Sequence, residues 1–148
     1  MITLRYEAMT RQSRKKVTCY NFTINRVSQP LHLLRVAEFL RSYSNLYAVG
    51  LESKATIGSD HIQGFLKLNP GITYSRFCQD IKSFLKNSFP CACFYAIPVP
   101  VEEDSENCIN YACKENFFYI KRENSSIFSK DLTKSAKKII MLLEKKNN

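Results

Sequence analysis

An α+β fold, with a central antiparallel β-sheet backed by helices on one face, is the architecture that the order of periodic segments in this sequence predicts. Two observations carry the prediction. Short stretches rich in β-formers with period-two alternation are interleaved with stretches whose apolar residues recur at helical spacing. The second and third of the strand-like stretches are separated only by a short polar loop with Gly58 in it, as in a hairpin. The resulting order, β-α-β-β-α-β-α-β, is that of a split βαβ sandwich, with the layout of an RNA-recognition sheet.

Val17 to Asn25 alternates and is the first strand. Pro30 opens a helix to about Tyr43, with Leu31, Leu34, Val36, Phe39 and Leu40 on its apolar side. Asn45 to Glu52 is the second strand and His61 to Leu68 the third, stopped by Asn69-Pro70-Gly71. A helix follows from about Thr73 to Lys86, with Phe77, Ile81, Phe84 and Leu85 facing inward. Cys91 to Val99 is the fourth strand, ended by Pro98 and Pro100. Glu102 to Lys114 reads as a short helix, Phe117 to Lys121 as an edge strand, and Asp131 to Glu144 as an amphipathic helix. The chain thus divides into a basic N-terminal arm (1–16), a domain (17–122) and a basic C-terminal helical tail (123–148).

At 148 residues the chain fits one domain able to bury a core without staples. Lys and Arg number 22 against 13 Asp and Glu, a net charge of +9. That excess points to an anionic partner, nucleic acid first. Part of it lies in Arg11, Arg14, Lys15 and Lys16, and part between Lys130 and Lys146. No apolar run reaches the roughly eighteen residues of a membrane span, and Met1-Ile-Thr-Leu-Arg-Tyr-Glu lacks the apolar segment of a secretion signal. An intracellular location is expected. Six cysteines without a Cys-x-x-Cys pair are expected to be reduced thiols rather than a disulfide frame or zinc site.

Three short patterns carry chemistry. His61 and Gln63, two apart on a strand, share a face, and the hairpin could bring Glu52 beside them. A carboxylate, an imidazole and an amide suit Mg²⁺ or Mn²⁺ with water completing the shell; the plain alternative is a hydrogen-bonded strand histidine. Tyr111 and Lys114 at i, i+3 share a helix face. A phenol ordinarily titrating near 10 becomes a better nucleophile beside a cation, although Tyr111 could equally be an amphipathic packing residue. In Phe22-Thr23-Ile24-Asn25-Arg26, Thr23 and Asn25 share a face suited to hydrogen bonds with a nucleic acid, or simply end a strand.

Taken in order, Phe22–Asn25, Glu52 with His61-Ile62-Gln63, and Tyr111-Ala112-Cys113-Lys114 resemble the three-motif layout of the replication-initiator (Rep) endonucleases of circular single-stranded-DNA viruses. The circovirus-like branch of the HUH superfamily, in which the second histidine is commonly Gln, is the nearest in pattern. The resemblance spans about residues 17–121. It implies that Glu52, His61 and Gln63 hold Mg²⁺ or Mn²⁺, that Tyr111 is the nucleophile and Lys114 its assistant. It further implies that Phe22, Thr23, Asn25 and Arg26 help recognise DNA, with Arg14, Lys15 and Lys16 as basic contacts. The implied activity is nicking and rejoining of single-stranded DNA at an origin hairpin through a 5′-phosphotyrosine, initiating rolling-circle replication. Host replication proteins would be partners, oligomers are compatible, and the location would be the nucleus of a eukaryotic host. Asp60 departs from the proline common in the family, and the stretch from Pro98 to Asp104 looks extended. No Gly-x-x-x-x-Gly-Lys-Ser/Thr occurs, so the family's helicase domain is expected to lie outside this sequence. The rival readings are a non-catalytic single-stranded nucleic-acid-binding module, an HUH transposase or a plasmid relaxase.

Overall fold

The structure, a computed structural model, describes residues 17–27, 29–52, 60–100 and 104–147. The basic arm with Arg14, Lys15 and Lys16, and the loop at 53–59, lie outside the described residues. The strands are β1 (Cys19–Asn25), β2 (Leu46–Glu52), β3 (His61–Lys67), β4 (Cys93–Pro98), β5 (Phe117–Arg122) and β6 (Ser125–Phe128). The helices are α1 (Pro30–Leu40), α2 (Tyr74–Ser88), α3 (Ser105–Ala112) and α4 (Lys130–Asn147). The six strands form one sheet in the order β4-β1-β3-β2-β5-β6, every neighbouring pair antiparallel. The fold is α+β with a central antiparallel sheet.

Alternation along the three central strands sends Phe22 and Ile24, Val49 and Leu51, and Ile62 and Leu66 to one face. There they meet Leu33, Val36 and Leu40 of α1, Phe77, Ile81 and Leu85 of α2, and Leu132 of α4 in the main core. Helix α1 starts at Pro30, whose missing N–H costs nothing at a first helical position. Helix α2 starts where the Thr73 hydroxyl accepts the Arg76 N–H at 3.2 Å, one of the donors a helix N-terminus leaves unpaired. Helix α1 ends earlier than its periodicity suggests. Tyr43 and Ser44 both donate their N–H groups to the Leu40 carbonyl, and the buried Ser44 hydroxyl donates to the Lys67 carbonyl at 2.6 Å. That contact ties the entry of β2 to the end of β3.

Helices α1 and α2 back one face as expected and the tail helix α4 joins them there, but α3 crosses the other. Its Ile109 and Ala112 pack with Cys19, Ala48 and Phe65 in a second, smaller core. Covered on both sides, β2 is buried at six consecutive positions, Tyr47 to Glu52. The opposite face therefore is not wholly free: α3 covers its middle, and β4, with Cys93, Tyr95 and Ile97 exposed, lies outside that cover. Strand β6 is the other departure. Phe117–Arg122 turns at Glu123-Asn124 and pairs with Ser125–Phe128, so β5 is not an edge. Four exposed residues carry no burial alternation for a sequence reading to detect. The end of the domain at 122 is no break in packing either, because Leu132 is fully buried in the main core. Among the described residues no helix is long and apolar enough to cross a membrane.

Candidate active site

The site forms on the α3 side of the sheet, where cross-strand register decides which side chains meet. His61 lies opposite Glu52 on β2 and Asn25 on β1; Gln63 lies opposite Gly50 and Thr23. Directly opposed residues point to the same face, so Glu52, His61, Gln63, Thr23 and Asn25 share one surface. His61 Nε2 is 3.1 Å from Glu52 Oε2, and the Thr23 hydroxyl donates to Gln63 Oε1 at 3.2 Å. Glu52 is only 3% exposed. A carboxylate so buried needs fixed partners, and Lys114 Nζ, 3.1 Å from its Oε1, is another.

Gly50 brings α3 to this surface. A Cβ there would lie 1.7 Å from the Ala112 carbonyl oxygen, so the last turn of α3 rests on β2 only because the position has no side chain. Tyr111, on that turn, is 54% exposed and lines a cavity of about 280 Å³ with Asn21, Gln63, Asn107 and Cys108. Lys114 lies just past the helix, which is capped at Cys113. Its ammonium sits 4.0 Å from the Tyr111 ring centroid, within cation–π range. One lysine thus touches both the buried carboxylate and the exposed phenol. The hydrogen bond to Glu52 raises the Lys114 pKa; burial opposes it, and contact with Tyr111 adds to the rise. Burial pushes the neighbouring Cys113 thiol up to about 11, which keeps it protonated and poorly nucleophilic at neutral pH.

The donor set fits a hard divalent cation. Two ligands at right angles on an octahedral ion with bonds of about 2.1 Å stand about 3.0 Å apart. His61 Nε2 and Glu52 Oε2 are hydrogen-bonded at 3.1 Å, which leaves the two atoms near that spacing. Gln63 Oε1 accepts one hydrogen bond from Thr23 and retains a second lone pair. Among the described residues no group of three or more His, Cys, Asp or Glu side chains could hold a metal, so an ion here would rely on the Gln63 amide and on water.

Of the residues read from the sequence, Glu52, His61 and Lys114 are joined by direct contacts, and Tyr111 is joined to them through Lys114. Thr23 reaches Gln63 directly, and Asn25 faces His61 across the sheet. Phe22 does not join them. It is 2% exposed on the opposite face, its ring filling the space where a Cβ on Gly64 would fall, so it builds the core and cannot touch DNA from there. Arg26 follows the end of β1 with φ 65°, a conformation uncommon outside glycine, and its N–H donates to the Asp60 carbonyl at 3.2 Å. The aromatic residues Tyr20, Tyr47 and Phe65 are all buried and serve packing. Sequence reasoning missed Gly50, Asn21 and the exposed pair Tyr95 and Ile97. A glycine inside the β-rich run Leu46 to Glu52 was the available signal for the first. The alternation of Cys93, Tyr95 and Ile97 on an edge strand was the signal for the last.

A scan of protein-family models and a search of curated proteins gave no match to this sequence.

Proposed function

We propose that the chain is a metal-dependent endonuclease that nicks single-stranded DNA through Tyr111, forming a 5′-phosphotyrosine and initiating rolling-circle replication. The observation that carries this reading is the bridge made by Lys114, 3.1 Å from Glu52 and 4.0 Å from the Tyr111 ring. It links a carboxylate–imidazole pair at metal-ligand spacing to an exposed phenol, in a chain whose three motifs already resemble Rep endonucleases.

In this reading the deprotonated Tyr111 oxygen attacks the scissile phosphorus. The bond from phosphorus to the 3′ oxygen breaks as the bond to tyrosine forms, and the released 3′ oxygen takes up a proton. An incoming 3′ hydroxyl reverses the exchange and rejoins ends without ATP. Glu52, His61 and Gln63 would hold Mg²⁺ or Mn²⁺, which when bound supplies Lewis-acid polarisation of the phosphate. Lys114, its ammonium over the Tyr111 ring, positions the phenol for attack. Thr23 and Asn25 give the DNA strand polar contacts beside the reacting phosphate, and the exposed Tyr95 and Ile97 of β4 extend that face with apolar surface. The substrate would be the single-stranded loop of an origin hairpin, and the place of action a compartment where such DNA replicates.

The test is incubation with Mn²⁺ and end-labelled hairpin DNA carrying a randomised loop, resolved on a denaturing protein gel. A covalent adduct that needs the metal and disappears in Tyr111→Phe is expected. Adduct persisting in Tyr111→Phe would move the nucleophile elsewhere. Binding to the library without cleavage would turn the reading to a non-catalytic binding module.

A further inference from the structure

Glu52 is nearly sealed from solvent, and its two oxygens are approached by different partners: Oε2 by His61 and Oε1 by Lys114, each at 3.1 Å. A single carboxylate at this depth does not serve an ammonium and a divalent cation equally, because the two like charges would stand within a few ångströms of each other, well inside the roughly 8–10 Å over which salt screens charges. Of the two partners, Lys114 is the one free to move. Its side chain is 38% exposed, it follows the capped end of α3, and a flexible four-carbon stem carries its charge. It also has a second place to go, since its ammonium already lies over the Tyr111 ring.

Building on the metal-nuclease reading above, we propose that Lys114 is the counter-ion of Glu52 in the metal-free protein and yields that carboxylate to a divalent cation by turning toward the Tyr111 phenol. Metal occupancy and nucleophile activation are then one event. Without metal, Lys114 divides its charge between the buried carboxylate and the phenol, and the site stays assembled. With metal, the same ammonium is left to the phenol alone. The coupling is reciprocal: whatever factor Lys114 takes from metal affinity, metal takes from the Lys114–Glu52 pair.

The experiment measures Mn²⁺ affinity by calorimetry on the DNA-free protein, with parent, Lys114→Met, Lys114→Gln and Glu52→Gln compared after their folding is checked by circular dichroism. Lys114→Met is expected to bind Mn²⁺ about tenfold more tightly, with Lys114→Gln, which can still hydrogen-bond Glu52 without charge, falling between. In protein labelled with ¹³C-lysine, the Lys114 ε-methylene signal, assigned by its loss in Lys114→Met, is expected to shift on adding diamagnetic Mg²⁺. Equal or weaker Mn²⁺ binding by Lys114→Met, or a Lys114 signal that does not move while metal binds, overturns the exchange and leaves the nuclease reading standing. If neither parent nor Lys114→Met binds Mn²⁺, the metal site itself is wrong and the exchange fails with it.

Discussion

Glu52, His61, Lys114 and Gly50 have little meaning singly, and their roles come from contacts. Gly50 is the least conspicuous of the four. The atom that would meet an added Cβ is a backbone carbonyl oxygen, 1.7 Å away, and a backbone cannot step aside as the tip of a flexible side chain can. Gly50→Ala is therefore expected to destabilise by about 1–3 kcal/mol or more, and to lift the end of α3 from the sheet, taking Tyr111 and Lys114 with it. Urea unfolding together with adduct yield checks this. An unchanged midpoint and full adduct would mean that α3 does not depend on this close approach. Phe22 shows the same dependence from the other face, since its ring occupies the space above Gly64.

At the scale of elements, the two faces of the sheet have separate tasks. Helices α1 and α2 close the main core, and the stacked pair Phe39 and Phe84, with centroids 4.5 Å apart, joins them. Helix α3 closes the small core and presents Tyr111. Helix α4 belongs to the main core through Leu132, and its start is fixed by Ser129, whose hydroxyl accepts the N–H groups of Leu132 and Phe118 at 3.3 and 3.0 Å. Leu132→Ala is expected to cost about 2–5 kcal/mol, the range for emptying a leucine site in a core, measured by denaturant unfolding. A cost below about 1 kcal/mol would mark α4 as an appendage. Strand β6, joined to β5 by a two-residue turn, leaves β4 and β6 as the sheet edges, with β4 the edge on the site side.

For the whole molecule, phenols wholly or partly buried set an upper pH limit. Tyr20, Tyr43 and Tyr47 all have pKa values raised above the ordinary 10.0, each chiefly by burial, with the Asp80 hydrogen bond adding at Tyr43. Below about pH 10 folded and unfolded chains alike keep these protons, and stability does not depend on them. Above it the unfolded chain loses them first, so unfolding releases protons and stability falls as pH climbs toward the folded values. The urea midpoint should hold level to about pH 8, begin to fall near 9 as the Cys113 thiol ionises in the unfolded chain but stays protonated in the folded one to about 11, and drop further beyond about 10; a level midpoint to pH 11 would mean these groups ionise as readily folded as unfolded. The net charge of +9 suits an anionic strand laid against the molecule, and it describes attraction rather than the place of binding.

Sequence by itself determined the α+β class and most elements, and it pointed to Glu52, His61, Gln63, Tyr111 and Lys114, because period-two and helical spacing report which side chains a backbone puts together. It also placed Glu52 beside His61, since a hairpin joins strands adjacent in the chain. Only the tertiary structure decided that α3 lies across the opposite face, that Lys114 bridges Glu52 and Tyr111, and that Phe22 is core. Those outcomes depend on which face of the sheet a helix covers and how closely it approaches. Packing between segments distant in the chain sets both, through an absent side chain at Gly50 that local periodicity does not register.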